Sequence, residues 1–387
     1  MSKAWPLKKL GDVCQLISGQ HIDSKDYNTE SRGVGYLTGP SDFGPIHPII
    51  SKWTEHPKIK ARSGDILVTV KGSGVGKINL LDQDEVAISR QLMAVRVTGA
   101  APGFVFSALS AAFEHFQSLS TGAAIPGISR EQVLGLDLPL PPLPEQRRIV
   151  GILDEAFAGI ATAKANAEKN LQNARALFES HLHAVFTHRG PGWVEKSLDE
   201  ISREFGRGKS KHRPRNDPKL YGGKYPFIQT GDVRNSTHVI ESFSQTYSEL
   251  GLAQSKLWPA GTLCITIAAN IAETGILGFD ACFPDSVIGV VLDEKQTSTK
   301  FLEYLLQRFK THLQALGKGS AQANINLGTF ENQRFPFPPL PEQRRITARL
   351  DALQAETRRL EALYARKLDK LDELKAALLH QAFSGQL

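Results

Sequence analysis

Pro141-Pro-Leu-Pro-Glu-Gln-Arg-Arg-Ile149 recurs letter for letter as Pro338 to Ile346, an offset of 197 residues (141 to 338). Self-similarity at a fixed period marks a repeat architecture and outranks every local signal. Held at this offset without gaps, the match runs on in both directions. Downstream, Leu153-Asp154 meets Leu350-Asp351, Leu171 meets Leu368, His183 meets His380 and Phe186 meets Phe383. Upstream, Phe104 meets Phe301, Gly122 meets Gly319 and Ile128 meets Ile325. The chain is a duplication.

The front of each half diverges but keeps an outline. Trp5 and Leu10 answer to Trp193 and Leu198, and Gly35–Asp42 resembles Tyr225–Asp232. Gly64-Asp-Ile-Leu-Val-Thr-Val70 is similar to Gly261-Thr-Leu-Cys-Ile-Thr-Ile267. Both are β-branched runs after a glycine turn and predict buried strands. Each half is therefore expected to be a mixed α+β globule whose framework is kept while its loops differ. Two recognition tasks would produce that pattern, and so would a duplication that drifted.

The repeated motif opens a helix in each half, with proline in the first turn and an acidic residue favourable to the helix dipole. No proline intervenes as far as Phe186 or Phe383. Ile149, Leu153, Ile160 and Leu171 lie on an apolar stripe of the first helix; Ile346, Leu350, Leu360, Leu368 and Leu371 lie on that of the second. Steps of three and four with one extra four form a heptad pattern with a stutter. The first stripe is alanine-rich and the second carries Leu and Tyr, so large side chains can face small ones. Connectivity then predicts two antiparallel helices forming a coiled coil, each of ~42 residues and roughly 60 Å long. The expected architecture is a pseudo-two-fold dumbbell with boundaries at 1–143, 144–188, 189–340 and 341–387. A coil serving only dimerisation is the plainer alternative.

Composition narrows the function. With 387 residues and 41% hydrophobic content the chain can build more than one core, and its net charge of +6 favours an acidic partner. Cys14, Cys264 and Cys282 are odd in number and far apart, which argues against a disulfide framework or a structural zinc site. No run approaches the ~20 apolar residues that span a bilayer, and the first residues lack a signal peptide's apolar stretch. A cytoplasmic location without membrane partners is expected.

Gly72-Ser-Gly-Val-Gly-Lys77 fails the phosphate-loop pattern at Lys71 and Ile78. What remains is a basic loop after a strand, exposing Lys71, Ser73 and Lys77 to a phosphate, or an ordinary glycine-rich hairpin. From Phe205 to Lys224 the chain carries Arg207, Lys209, Lys211, Arg213, Arg215, Lys219 and Lys224 against a single Asp217. This density predicts an unpacked loop or arm that neutralises phosphates. Thr38 and Ser41 in one half, and Gln229, Thr230 and Arg234 in the other, are residue types that read base edges. Ser129 and Arg130 pair by position with a turn carrying Lys318, Gln322, Asn324 and Asn326, all further candidates for DNA contact. No catalytic constellation and no metal site emerge. The Pro-Pro pairs follow Leu140 and Phe337, neither of which can bond a base amine as a methyltransferase loop must.

Taken together, the doubled Pro-Leu-Pro-Glu-Gln-Arg-Arg-Ile motif, the Trp openings, the Gly-Asp-Ile-Leu strand and the Ser-Thr-Gly…Ile-Pro-Gly-Ile-Ser turn resemble the specificity subunits of Type I restriction–modification systems. The resemblance spans essentially the whole chain. It implies two target-recognition domains, each reading half of a split, asymmetric site on double-stranded DNA, with the helices as spacer. It also implies docking of two methyltransferase (modification) subunits that bind S-adenosylmethionine, with ATP- and Mg-dependent restriction subunits as a further partner class. The chain itself would bind no cofactor and catalyse nothing. A self-sufficient methyltransferase or nuclease, and a structural coiled-coil adaptor without DNA specificity, are the competing readings.

Overall fold

The computed structural model describes residues 5–120, 126–268, 270–318 and 325–387, without the side chains of 316–318 and 331. The chain forms two compact units, Met1–Lys169 with Ala365–Leu387, and Asn170–Tyr364. Each long helix is divided between them.

In unit one the predicted strand is Ile66–Thr69, buried at every residue. It lies between Leu92–Val97 and Ile78–Leu80, with Cys14–Ser18 beyond, in an antiparallel four-stranded sheet. Four consecutive apolar or β-branched residues suit a strand covered on both faces. A second four-stranded sheet orders Trp53–Thr54, Val34–Leu37, Glu85–Ile88 and Lys60–Arg62, with its middle pair parallel. The turn 89–91 carries the chain from that sheet into the first.

Unit two repeats the plan with substitutions. Leu263–Thr266 occupies the central place of Ile66–Thr69, between Val287–Leu292 and Thr274–Leu277 in a five-stranded sheet. The loop after it is tied down alike in both units. Ile128 N–H donates to Val70 O at 3.0 Å, and Ile325 N–H donates to Ile267 O at 3.2 Å.

The long helices run Leu143–Thr187 and Leu340–Ser384. Within unit one the first helix's beginning meets the second helix's end. Arg148 Nη2 donates to Leu387 O at 2.7 Å, Lys164 pairs with Asp372 at 2.7 Å, and the Lys375 ammonium lies 5.2 Å from the centroid of the Phe157 ring. Within unit two the sense is the same, with Arg175 paired to Glu361 at 3.1 Å. Both sets are antiparallel. Ile160, Ala167 and Ala174 are buried along the first helix, whereas Leu171 and the Leu360, Leu368 and Leu371 of the second are half-buried. Ile149 and Leu153 join the unit-one core beside Leu379 and Ala382, and Ile346 and Leu350 join the unit-two core beside Phe178 and Leu182. These four seam positions thus serve the globules as much as the coil.

Aromatic contacts show how the repeat closes. Phe104 packs on Phe383 with centroids 5.2 Å apart, and Phe301 packs on Phe186 at 5.6 Å. Phe104 and Phe301 are repeat equivalents, as are Phe186 and Phe383. Each unit is therefore completed by the far end of the other repeat's helix.

The repeated motif owes its glutamine to a buried clamp. Gln146 accepts from Ala101 N–H at 2.8 Å and donates to Pro141 O at 2.8 Å. Gln343, fully buried, accepts from Thr297 Oγ1 (2.8 Å) and Ser298 N–H (3.2 Å) and donates to Pro338 O (3.0 Å) and Gln296 O (3.1 Å). The neighbouring Glu145–Arg148 and Glu342–Arg345 pairs support the first helical turns from outside.

A second buried polar cluster fastens the long helix to unit two. His238 Nδ1 and Glu303 Oε2 are 2.6 Å apart, while its Nε2 faces Gln354 of the long helix. Gln307 and Thr274 also bond Glu303, and Tyr304 donates to Asp351 at 2.7 Å, which Lys300 pairs at 2.8 Å. Burial alone lowers the His238 pKa, but the Glu303 carboxylate and Gln354 outweigh it and the Lys300 charge, so the value is raised. A raised folded value stabilises the protein below the ordinary histidine pKa of about 6.5, and that contribution fades as pH rises through the folded value. His238→Gln should therefore cost more stability at pH 6 than at pH 9 in urea unfolding. A cost independent of pH would refute the charged pair.

Candidate nucleic-acid interface

In unit one the turn after Val34–Leu37, the glycine loop and the turn 89–91 adjoin one another. Thr38 belongs to a turn built on buried Asp42, which accepts from Thr38 N–H (2.6 Å), Thr38 Oγ1 (2.7 Å) and Gly39 N–H (3.3 Å). Lys52 Nζ donates to the same threonine oxygen at 3.2 Å. The hydroxyl of Thr38 is committed to this turn, and Ser41 at its tip is exposed. The turn abuts the glycine loop: a Cβ on Gly74 would lie 2.6 Å from Pro40 Cγ, so only glycine permits the approach. Lys71, Ser73 and Lys77 are exposed on that loop. Lys71 bridges Gly127, and Gly72 N–H donates to Pro126 O at 2.8 Å. An open cleft lined by Lys71, Gly72, Arg90, Gln91, Pro126 and Gly127 lies at this junction. Arg90 and Gln91 were not singled out from the sequence. Their signal is a polar turn without glycine or proline between two buried strands.

Ser129 and Asn326 have structural duties at matched positions. Ser129 Oγ accepts from Gln132 N–H at 3.2 Å, and Gln132 Oε1 accepts from Ser129 N–H at 2.7 Å, a reciprocal cap on helix Arg130–Leu134. Asn326 Oδ1 accepts from Thr329 N–H at 2.9 Å and caps Leu327–Glu331. Both residue types suit base reading; as placed, an acceptor oxygen of each is used on an orphan helix amide, and both residues are exposed. Arg130 is exposed beside Ser18, at 3.5 Å. Gln322 and Asn324 lie outside the described residues, as does the side chain of Lys318.

The basic stretch of unit two differs from the expected loose arm. Its ends are strands, Ser202–Arg207 against Val287–Leu292 and Tyr221–Phe227 against Gln245–Tyr247, and between them the chain is irregular up to the short 3-10 turn Pro218–Leu220. The physical reason lies in partners distant in sequence. Arg207 Nε donates to Asp285 O at 2.8 Å, Arg215 pairs with the Asp285 carboxylate at 2.8 Å, and Lys224 pairs with Glu249 at 3.0 Å. Arg213 donates to the carbonyls of Ser210 and His212 at 2.7 and 2.8 Å. The Lys219 backbone N–H and then His212 hold the Asp217 carboxyl below its usual range. Carbonyls do not neutralise a guanidinium, so Arg207 and Arg213 keep their charge. Lys209, Lys211 and Lys219 are exposed and have no ion pair among the described residues.

Gln229 starts the short helix Thr230–Asn235, with its N–H donating to Asp232 at 2.8 Å and its Nε2 donating to Gln245 Oε1 at 2.7 Å. Thr230 is half-buried; exposed Arg234 reaches Asn270 Oδ1 at 3.4 Å. Burial raises all three thiols, that of Cys14 to about 12, which leaves them unreactive. Among the described residues no cluster of His, Cys, Asp and Glu is placed to hold a metal, and no helix is long and apolar enough to cross a membrane.

The family model of the Type I restriction modification DNA specificity domain matches residues 2–172 and again residues 191–368. The putative type I restriction enzyme MjaX specificity subunit of Methanocaldococcus jannaschii is 29% identical over 175 residues, 44% of this chain and 40% of that one. The type I restriction enzyme StySPI specificity subunit of Salmonella potsdam is 23% identical over 290 residues, 70% of this chain and 62% of that one. These two matches span less than two thirds of the relatives' length. The MjaVIII specificity subunit of M. jannaschii matches at 21% over 413 residues, 99% of this chain and 93% of that one. Among solved structures, a chain from work on complex assembly and conformational transition of the type I R-M system superposes with a TM-score of 0.81 at 22% identity, covering 100% of this chain and 99% of that one. The HsdS subunit from Thermoanaerobacter tengcongensis gives 0.65 at 22% identity, covering 100% and 98%. At such identity the likeness shows the fold.

Proposed function

Because the chain belongs to the family of the Type I restriction modification DNA specificity domain, we propose that it is the DNA-recognition subunit of a Type I restriction–modification complex. Each unit reads one half of a bipartite, asymmetric duplex site. The carrying observation is that both units share one framework while their exposed faces differ. The buried central strand, the loop bond to its end, the capped short helix and the glutamine clamp are repeated. Unit two alone carries the cation-rich segment between Arg207 and Lys224. A preserved scaffold with unlike surfaces suits two different sequences read in one geometry.

In this reading the chain recognises and does not catalyse. Two methyltransferase subunits docked on the long helices bind S-adenosylmethionine and modify adenine; ATP- and Mg-dependent restriction subunits join the same assembly, in the cytoplasm. The exposed charges Arg207, Lys209, Lys211, Arg213, Lys71 and Lys77 anchor phosphates, which positions the protein without specifying sequence.

Exchanging residues 1–138 for the matching part of a relative tests the assignment. Expressed with its methyltransferase partner, the hybrid should methylate a site altered in one half only, and the purified chain without that partner should transfer no methyl group. A change in both halves would contradict separable recognition, and methyl transfer by the chain alone would contradict its role.

A further inference from the structure

We propose that Arg90 and Gln91 are the base-reading pair of unit one, with Arg90 on a guanine and Gln91 on an adenine of the half-site; this rests on the DNA-reading role above. Three observations converge on the turn 89–91.

Its backbone is a fixed platform. Val70 N–H donates to Gln91 O at 2.8 Å, Ser89 N–H to Leu37 O at 3.0 Å, and Ser89 Oγ to Thr38 O at 2.5 Å. Gln91 N–H in turn donates to Ser89 Oγ at 3.1 Å. Both sheets and the Thr38–Asp42 turn therefore hold it from three sides. A turn so held loses little backbone freedom on binding.

The two side chains themselves are uncommitted. Both residues are exposed, and neither side chain has a hydrogen bond or ion pair among the described residues. Elsewhere on this face Thr38 is bonded to Asp42 and Ser129 to its helix, while Ser41 and Ser73 are exposed but offer only a short hydroxyl. Gln91 lies across Gly39, where a Cβ would come within 2.3 Å of its Oε1, so the glycine makes room for the amide. Arg90 and Gln91 share a cleft with Lys71. A planar fork and a carboxamide beside exposed lysines match the guanine and adenine edges of a major groove flanked by phosphates.

Unit two has the same platform with other chemistry. Ile267 N–H donates to Ser286 O at 2.9 Å, the counterpart of the Val70–Gln91 bond. There the turn reads Pro284-Asp285-Ser286, and Arg215 neutralises Asp285. One position therefore presents a free cation and an amide in one unit and a matched acid and a hydroxyl in the other, as unlike half-sites require.

The test selects binders of the purified full chain from a pool of random-sequence duplexes. The parent should enrich a bipartite motif. Arg90→Ala and Gln91→Ala should each lower discrimination roughly tenfold or more at a position of one half-site, leaving the other half intact. Arg90→Lys should lose it too, because lysine keeps the charge but not the fork. Lys71→Ala should weaken all sequences alike. Variants that keep the parent motif, loosen both halves, or lose affinity equally for every sequence overturn the assignment while the DNA-reading role stands. A parent that enriches no motif refutes that role and this assignment with it.

Discussion

Replacing Arg207, Lys209, Lys211 and Arg213 together by alanine should weaken binding to every duplex and flatten its salt dependence. Each phosphate neutralised contributes about −0.9 to the slope of log affinity against log salt, so four contacts are worth roughly 3–4 units. Over a fourfold rise in salt the variant should then lose on the order of 10²-fold less affinity than the parent. The four are chosen by electrostatics as placed: Lys209 and Lys211 have no ion pair among the described residues, and Arg207 and Arg213 bond only carbonyls. Arg215→Ala is the internal control, since Asp285 already matches that charge at 2.8 Å. Base preference should not change, because phosphate contacts carry no sequence information. Titrations of a fixed duplex at several salt concentrations decide it. An unchanged slope for the fourfold variant, or an equal effect of Arg215→Ala, would mean this segment faces away from DNA.

Gln343→Leu should destabilise the protein strongly, and more than Gln146→Leu. Leucine nearly fills the glutamine's volume but leaves Thr297 Oγ1 and Pro338 O without their partner in a buried site, and Ser298 N–H and Gln296 O without theirs in a half-buried one. An unsatisfied buried group costs about 1–3 kcal/mol, so with some relaxation the loss should reach ~3–5 kcal/mol. That is a large part of the ~5–15 kcal/mol that holds an ordinary domain folded. Gln146→Leu strands only Ala101 N–H and Pro141 O, and should cost about half as much. Urea unfolding of the three proteins gives the ranking. A Gln343→Leu variant within ~0.5 kcal/mol of its parent would show that the clamp does not hold the helix start.

These two sets of residues illustrate different kinds of legibility. In the sequence, Arg207 to Lys224 is a density of charge, and charge density is local, so it could be seen. Which cations are free is not local. Asp285 lies 70 residues from Arg215, and only the fold brings its carboxylate to that arginine while its carbonyl takes Arg207. The glutamine of the repeated motif was equally visible as a letter. Its function was hidden because its partners are carbonyls and amides of loops that sequence cannot place.

By itself the sequence determined the duplication, the start of both long helices and the central strands Ile66–Thr69 and Leu263–Thr266. Identity at a fixed offset, proline at a helix start and consecutive β-branched residues act over a few positions, so their physics is contained in short stretches. Tertiary structure decided the rest. It set Phe383 against Phe104 and Phe186 against Phe301, turned Ser129 and Asn326 into helix caps, and left Arg90 and Gln91 open beside Lys71. Each of these outcomes depends on which hydrogen-bond and packing partners the folded backbone brings within reach of a side chain. A residue's type sets what it can bond, and only the path of the chain sets whether that capacity is already spent.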